Sequence, residues 1–349
     1  MIEGDRMSKT GCQLCPRKCR ADRKMGERGF CGESSKIRLA RAALHYWEEP
    51  CISGKSGSGA VFFTGCSLRC VFCQNTHIAR GEIGKEVSQE RLSEIFLELQ
   101  DKGANNINLI TAGHFLPAVI PALKKAKDEG LTIPIVYNTS AYESVESIRA
   151  LDGLVDIYLP DFKYVSSDLS KRYSHASDYF ETAAASIEEM VRQTKTPEFY
   201  RKYSRDGESR VWDTRCDEGK RETLNADQYN EICYQQDMEG TEGDKSEILM
   251  RRGTIVRHLL LPGCTEDSKR VIKYLLDTYG ETIYISIMNQ FTPLEDLEAW
   301  PELNRRVTEE EYDSIVDYAI EQGIENAFVQ DGDVAEESFI PAFDYEGVE

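Results

Sequence analysis

The segment Phe62-Phe63-Thr64-Gly65-Cys66-Ser67-Leu68-Arg69-Cys70-Val71-Phe72-Cys73-Gln74-Asn75 places three cysteines at Cys-x3-Cys-x2-Cys spacing directly after an apolar run. Three thiolates on one tight loop reach three corners of a cuboidal [4Fe–4S] cluster. A zinc site wants four closed ligands, and an electron-transfer cluster normally takes four cysteines. The fourth thiolate is missing from the loop, which leaves one iron able to take an outside ligand. The competing reading is a zinc loop completed by a distant residue such as His77, and the position at the end of a buried strand speaks against it.

The loop sits within a regular rhythm. Short apolar runs at 60–64, 107–111, 133–138, 155–159, 255–261 and 283–288 are rich in Val, Ile and Leu and lack strict alternation, the pattern of strands buried on both faces. Between them lie helical patterns. Leu92, Ile95, Phe96 and Leu99 are introduced by Ser88 and closed by Gly103, and Thr308 with Glu311 makes a capping box ahead of Tyr312, Ile315, Val316 and Ala319. Strand then helix, repeated, means an α/β fold with a parallel sheet. Six units are too few for an eight-stranded barrel, so the expectation is a partial (βα)6 barrel with its chemistry at the C-terminal strand ends.

The stretch at about 196–250 breaks this rhythm with Asp237, Glu239, Glu242, Asp244 and Glu247 among glycines. It reads as an acidic surface excursion, partly flexible, with 207–245 dispensable and the strand pattern resuming at Ile255. The chain thus divides into a Cys-rich metal-binding module at 1–50 and a barrel at 51–349 that carries the insertion.

The module holds Cys12, Cys15, Cys19 and Cys31, with Pro16, Gly29 and Gly32 supplying turns. Four thiolates at this spacing form a closed metal site, either structural zinc or a second iron–sulfur cluster. Metal supplies folding energy that so short a piece cannot gain by burying a core. Cys51, Cys216, Cys233 and Cys264 have no ligand spacing and read as ordinary thiols, with Cys51 notable for lying between the two sets.

The formal charge is −19, yet residues 1–46 carry eleven Lys/Arg against five Asp/Glu. Nucleic-acid binding by the whole chain is disfavoured, while the basic first module can steer an acidic or phosphate-bearing partner. The polar start and the lack of a long apolar run point to a cytoplasmic protein with no membrane span, where thiols serve metals rather than disulfides.

The cysteine loop, together with Leu44-His45-Tyr46-Trp47-Glu48-Glu49-Pro50, Val136-Tyr137-Asn138-Thr139-Ser140, Tyr158-Leu159-Pro160-Asp161-Phe162-Lys163-Tyr164, Arg257-His258-Leu259-Leu260-Leu261-Pro262-Gly263 and Pro301-Glu302-Leu303-Asn304-Arg305-Arg306, resembles the radical S-adenosylmethionine (SAM) enzymes of the group similar to pyruvate formate-lyase activating enzyme. The resemblance runs from Cys12 to about Phe343. It implies a partial barrel whose cluster, bound by Cys66, Cys70 and Cys73, takes SAM on its open iron and cleaves it to a 5′-deoxyadenosyl radical that abstracts hydrogen. A low-potential donor such as flavodoxin or ferredoxin is implied as partner, and a protein substrate is one option it leaves open. It further implies a SAM pocket at the next strand ends: Thr111 to Gly113 and His114 where relatives carry a Gly-Gly-Glu-Pro-type turn, then Asn138, Ser140, Asp161 and Lys163, with the Phe72 backbone against adenine. His114 is equally readable as a satisfied strand-end residue. The other four can instead cap helices or form ion pairs.

Three functions compete: activation of a glycyl-radical enzyme, modification of a small molecule or another macromolecule, and a non-catalytic metal scaffold. The intact three-cysteine loop argues against the scaffold, which has no reason to keep an iron open.

Overall fold

The computed structural model describes residues 11–203, 223–239, 246–294, 297–330 and 341–349. Its parallel sheet is built from strands whose alternate side chains go to different cores. On the strand Ile157–Pro160, Tyr158 packs outward under the helices, whereas Ile157 and Leu159 pack inward with Val136 and Ile255.

Among the described residues the strands are β1 (Ile37–His45), β2 (Ser58–Phe63), β3 (Lys85–Val87), β4 (Ile107–Ile110), β5 (Ile135–Thr139), β6 (Ile157–Pro160), β7 (Glu198–Tyr203), β8 (Thr223–Leu224), β9 (Ser246–Leu259), β10 (Tyr284–Met288) and β11 (Ala327–Val329). The sheet runs β11-β10-β9-β6-β5-β4-β2-β1-β3. From β2 to β11 each pairing is parallel, and β1 and β3 add antiparallel strands at the other end. All six expected strands are present, and short β11 extends the parallel run.

The α-helices are α1 (Pro50–Ser53), α2 (Thr76–Ala79), α3 (Gln89–Asp101), α4 (Leu116–Asp128), α5 (Val145–Arg149), α6 (Ser167–Ser174), α7 (Tyr179–Thr194), α8 (Ala226–Glu239), α9 (Thr265–Tyr279) and α10 (Glu309–Glu321). The expected caps form. The Ser88 hydroxyl accepts the Arg91 N–H at the start of α3, and Thr308 and Glu311 cap each other's backbone N–H at the start of α10, each such cap contributing about 1 kcal/mol. No described helix is long and apolar enough to cross a membrane.

Two features lie outside the (βα) rhythm. After β1 the chain turns inward, and α1 buries Cys51, Ile52 and Ser53 where β2 and β4 begin. Asn105 and Asn106 donate to the Ser53 and Ile52 carbonyls at 2.7 and 2.8 Å, so α1 plugs that end of the barrel. At the sheet's far end the C-terminal segment covers part of β1, with Tyr345 N–H bound to the Ala40 carbonyl and Ala42 N–H to the Glu346 carbonyl, which blunts an otherwise open edge.

The acidic stretch differs from its sequence reading wherever it is described. β9 begins at Ser246 rather than Ile255. Its first half pairs antiparallel with β7, and only its second half joins the parallel sheet. Tyr229 of α8 stacks on Phe199 at 4.1 Å and meets Tyr284 of β10 edge-on at 6.0 Å. These rings share the inner core with Cys51, Ile52, Val136 and Ile157. Charged residues dominate the local composition, but periodic apolar side chains inside α8 and β9 still find the barrel. Much of 207–245, including Cys216, lies outside the described residues.

Tyr229→Ala is expected to destabilise the whole barrel by about 3 kcal/mol through lost burial and a residual cavity, measured as a shifted midpoint in urea unfolding.

Candidate functional site

Side chains on or directly after the parallel strands face one chamber of about 990 Å³. Phe62 comes from β2, Ile110 from β4, Asn138 from β5, Arg257 and Leu259 from β9, Ser286 and Met288 from β10, and Ala327 from β11, while Asp161 stands just after β6. Cys66, Cys70 and Cys73 all open onto it.

The cysteine loop is held in a fixed shape by its neighbours. Gly65 has φ +83°, and a Cβ there would lie 2.6 Å from Glu33 Cγ and 2.8 Å from the Cys31 carbonyl oxygen, so only glycine allows this approach. The Cys66 N–H then bonds that Cys31 carbonyl at 3.1 Å. Arg69 takes a left-handed φ of 53°, turning the chain within the motif. The Leu68 N–H points at Cys66 Sγ, 3.4 Å away, and the Ser174 hydroxyl at Cys70 Sγ, 3.0 Å away. Donors aimed at sulfur are what a cluster thiolate requires.

Burial pushes the Cys70 thiol up to about 11 and the Cys73 thiol up to about 12. Both thiols therefore need a metal centre to become thiolates at neutral pH. The loop thus fits a [4Fe–4S] cluster bound by three residues. His77 does not complete a fourth corner: it is exposed and bonds Glu82 at 2.8 Å. Cys233 is also on the chamber wall but lies beside Cys51 on the side of α1.

Beyond the loop lies a buried charge network. Lys163 Nζ bonds Asp161 at 2.8 Å, and Arg257 bonds Asp161 at 3.2 Å, Glu48 at 3.1 Å and the Asn138 side-chain amide oxygen Oδ1 at 2.5 Å. Glu48 also accepts from Asn108 at 2.9 Å. Burial works against the Asp161 charge, yet Lys163 and Arg257 outweigh it and hold the carboxyl below its ordinary range. Thr111, Asn138, Ser140, Asp161 and Lys163 are all on the chamber wall, as is Phe72, whose ring meets Phe291 edge-on at 6.2 Å.

Residues 60–196 match the model of the radical SAM superfamily. This segment is a radical SAM domain. An uncharacterized protein of Methanocaldococcus jannaschii is 25% identical over 319 residues, covering 88% of this chain and 74% of that protein. Among solved structures, SuiB of Streptococcus suis bound to S-adenosylmethionine shares 9% identity at a TM-score of 0.43, over 80% of this chain and 52% of SuiB. HydG, a maturase of the [FeFe]-hydrogenase, shares 12% identity at a TM-score of 0.43, over 76% of this chain and 49% of HydG. The chain spans about half the length of those two proteins.

Two residues expected in the SAM pocket of the radical SAM domain stand elsewhere. Gly113 faces the Glu143 carboxylate, which a Cβ would meet at 2.3 Å. His114 is buried, its Nε2 is 2.7 Å from the Thr64 carbonyl, and burial lowers it to about 3. It is the satisfied strand-end residue of the alternative reading. The contributions of Glu48, Glu49 and Arg257 were missed, although their sequence blocks were noted, because their partners stand up to 209 positions away.

The cysteine-rich module docks directly on this domain. Arg17 donates to the carbonyls of Ser67 at 2.8 Å, Ser174 at 3.0 Å and His175, with its guanidinium over the Phe30 ring at 4.2 Å. Fully buried Arg23 reaches the His114 carbonyl at 2.6 Å. Cys12 and Cys31 are buried, Cys15 is half-buried and Cys19 exposed. A Cβ on Gly29 would lie 3.0 Å from Cys19 Sγ and 3.6 Å from Cys31 Sγ, so these two thiols share one small space. Burial, then Glu143, Cys31 and Cys12 nearby, push the Cys15 thiol up to about 12. Among the described residues no three His, Cys, Asp or Glu side chains converge closely enough to hold a single metal ion.

Glu143 supplies a pH signature. Burial raises its carboxyl to about 7, partly offset by hydrogen bonds from Thr139 at 2.9 Å and Tyr137 at 3.1 Å. Because the folded chain resists ionisation here, this contribution to stability is complete below the ordinary Glu range and is lost as pH rises through about 7. In metal-free protein, urea midpoints from pH 4.5 to 8 should record a fall of roughly 3 kcal/mol from this group, and Glu143→Gln should remove it.

Proposed function

We propose that this chain is an enzyme that cleaves SAM reductively and directs the resulting radical at a substrate held in the chamber. The observation carrying the proposal is that Cys66, Cys70 and Cys73 open together onto a chamber walled by side chains on or directly after the parallel strands. A [4Fe–4S] cluster on those thiolates, with SAM on its open iron, would supply the 5′-deoxyadenosyl radical that abstracts a hydrogen atom.

The chain's own residues do the rest. Leu68 N–H and the Ser174 hydroxyl stabilise negative charge on Cys66 and Cys70 sulfur. Lys163, fixed by Asp161, faces Cys70 and Cys73 and offers a cation to a carboxylate ligand at the cluster end. Asn138 and Ser140 offer hydrogen bonds to a ribose. Phe62, Phe72, Leu259 and Met288 line the walls with apolar surface that excludes water from a reactive intermediate. Modification of a substrate within the chamber is the leading reading, and activation of a glycyl-radical enzyme is a special case in which a peptide loop would enter it.

The module of Cys12, Cys15, Cys19 and Cys31 is proposed to hold its own metal, and an iron–sulfur cluster is favoured over zinc because the Cys31 carbonyl touches the Cys66 N–H. A cluster there would stand next to the SAM site on the electron's way in. Lys18, Arg20, Lys24 and Arg28 are exposed on this module, a basic face suited to an acidic low-potential donor such as flavodoxin or ferredoxin.

Cys66→Ala, Cys70→Ala and Cys73→Ala should each abolish 5′-deoxyadenosine formation from SAM and dithionite under anaerobic conditions, with the far-UV circular dichroism unchanged. Product from the triple variant would refute the assignment. The same triple variant, purified without oxygen, should retain metal on the N-terminal cysteines. Iron with acid-labile sulfide would mark a cluster, zinc would mark a structural clasp, and no metal at all would overturn the second site.

A further inference from the structure

We propose that the floor of the chamber, built around Glu49, binds a protonated nitrogen of the substrate, either an ammonium or a guanidinium group. This deepens the reading of the chamber as the site of a SAM-cleaving enzyme and rests on it.

Glu49 immediately precedes the plug helix α1. It lines the chamber and is only 9% exposed. One carboxyl oxygen, Oε2, has no hydrogen-bond partner among the described residues, and Ser286 stands near the side chain on the chamber wall. A buried carboxylate oxygen without a donor is costly, and the cost is relieved by a donor that also brings positive charge.

The protein's own cations direct their hydrogen bonds elsewhere, although Arg257 is near enough to Glu49 to favour its charge. Arg257 directs Nε to Asp161, Nη1 to Glu48 and Nη2 to Asn138. Lys163 belongs to Asp161 at the cluster end. Three carboxyls, Glu48, Glu49 and Asp161, therefore share two cations, and burial pushes Glu48 and Glu49 up toward their neutral forms, a cost that a further cation would offset. The other titratable groups on the wall do not restore the balance: Glu325 adds a further carboxyl, burial and then Arg41 disfavour the charged form of His45, and Tyr229 and Cys233 bring no positive charge. A ligand cation makes the count even. An anionic ligand would worsen it, and a neutral hydroxyl would fill the hydrogen bond without the charge.

Above the floor the wall is apolar, with Phe62, Leu259, Met288 and Phe328. The ligand this shape accepts carries its charge at one end of a hydrocarbon stem. Anchoring the nitrogen at the floor turns carbon of that stem toward the cysteine loop, where a hydrogen could be taken.

The test uses cluster-reconstituted protein with SAM bound and four probes with short alkyl stems: n-butylamine, n-butylguanidine, n-butanol and n-butyrate. Ligand-observed NMR titration should show both cations binding at least tenfold more tightly than the alcohol, with butyrate weakest. Preference for the amine over the guanidine, or the reverse, then tells which cation the floor suits. Glu49→Gln should erase the cation preference, and Glu49→Asp should keep part of it, with cluster absorbance and thermal unfolding as checks on folding. Equal binding of alcohol and cations to the unaltered protein overturns the proposal without any variant. So does competition of the cations with SAM, which would make Glu49 a cofactor ligand. 5′-Deoxyadenosine formed by the unaltered protein without probe reports on SAM cleavage separately.

Discussion

Arg257 is the interaction around which the chamber is organised. A guanidinium inside a barrel is tolerable only if its donors meet acceptors and its charge meets carboxylates, and here those acceptors come from the β1–α1 turn, from β5 and from the end of β6. One side chain thus fixes the relative positions of three strand ends and a turn. Removing any one carboxylate would leave a buried charge partly uncompensated, so the polar lining of the chamber behaves as a unit rather than as separate contacts.

A second constraint is the fit of the N-terminal module against the cysteine loop. Two arginines penetrate the interface and bond backbone carbonyls rather than carboxylates. Carbonyl acceptors fix position without introducing countercharge, and glycines at 29 and 65 bring sulfur and backbone closer than a side chain would permit. The cysteine-rich module and the three-cysteine loop are therefore parts of one packed surface. This explains why the basic residues of the first fifty divide into two kinds: Arg17 and Arg23 are structural, while Lys18, Arg20, Lys24 and Arg28 remain on the outside.

The parallel sheet, its six main strands and both cysteine sets were legible because each depends on local signals: runs of β-branched residues, caps and thiol spacing. Thr111, Asn138, Ser140, Asp161 and Lys163 could be placed on one wall because they sit at strand ends. Gly113 and His114 could not be ruled in or out, since which way a strand-end turn faces depends on Glu143 and Arg23 from other elements. The inward packing of α8 was hidden by its charged surroundings, and the long β9 was obscured because its first half obeys an antiparallel ribbon and its second half the parallel sheet. Glu48 and Glu49 had no role of their own in their sequence block, because what carries them inside is the turn into α1.

The plug at α1 also sets an order of events as the chain is made. Glu48 finds Asn108 60 residues later but meets Arg257 only 209 residues later, so the floor must wait, hydrated and incomplete, until β9 pairs. At about 5–20 residues per second, that wait lasts on the order of ten seconds or more. Such non-local closure is slow and leaves half-built sheet exposed. The N-terminal cysteines, by contrast, have all emerged before β1 is complete, so the metal proposed for them would be captured while the rest of the chain is still being synthesised. The nascent chain would then begin from a metal-fixed anchor and finish at a salt bridge in the barrel's interior.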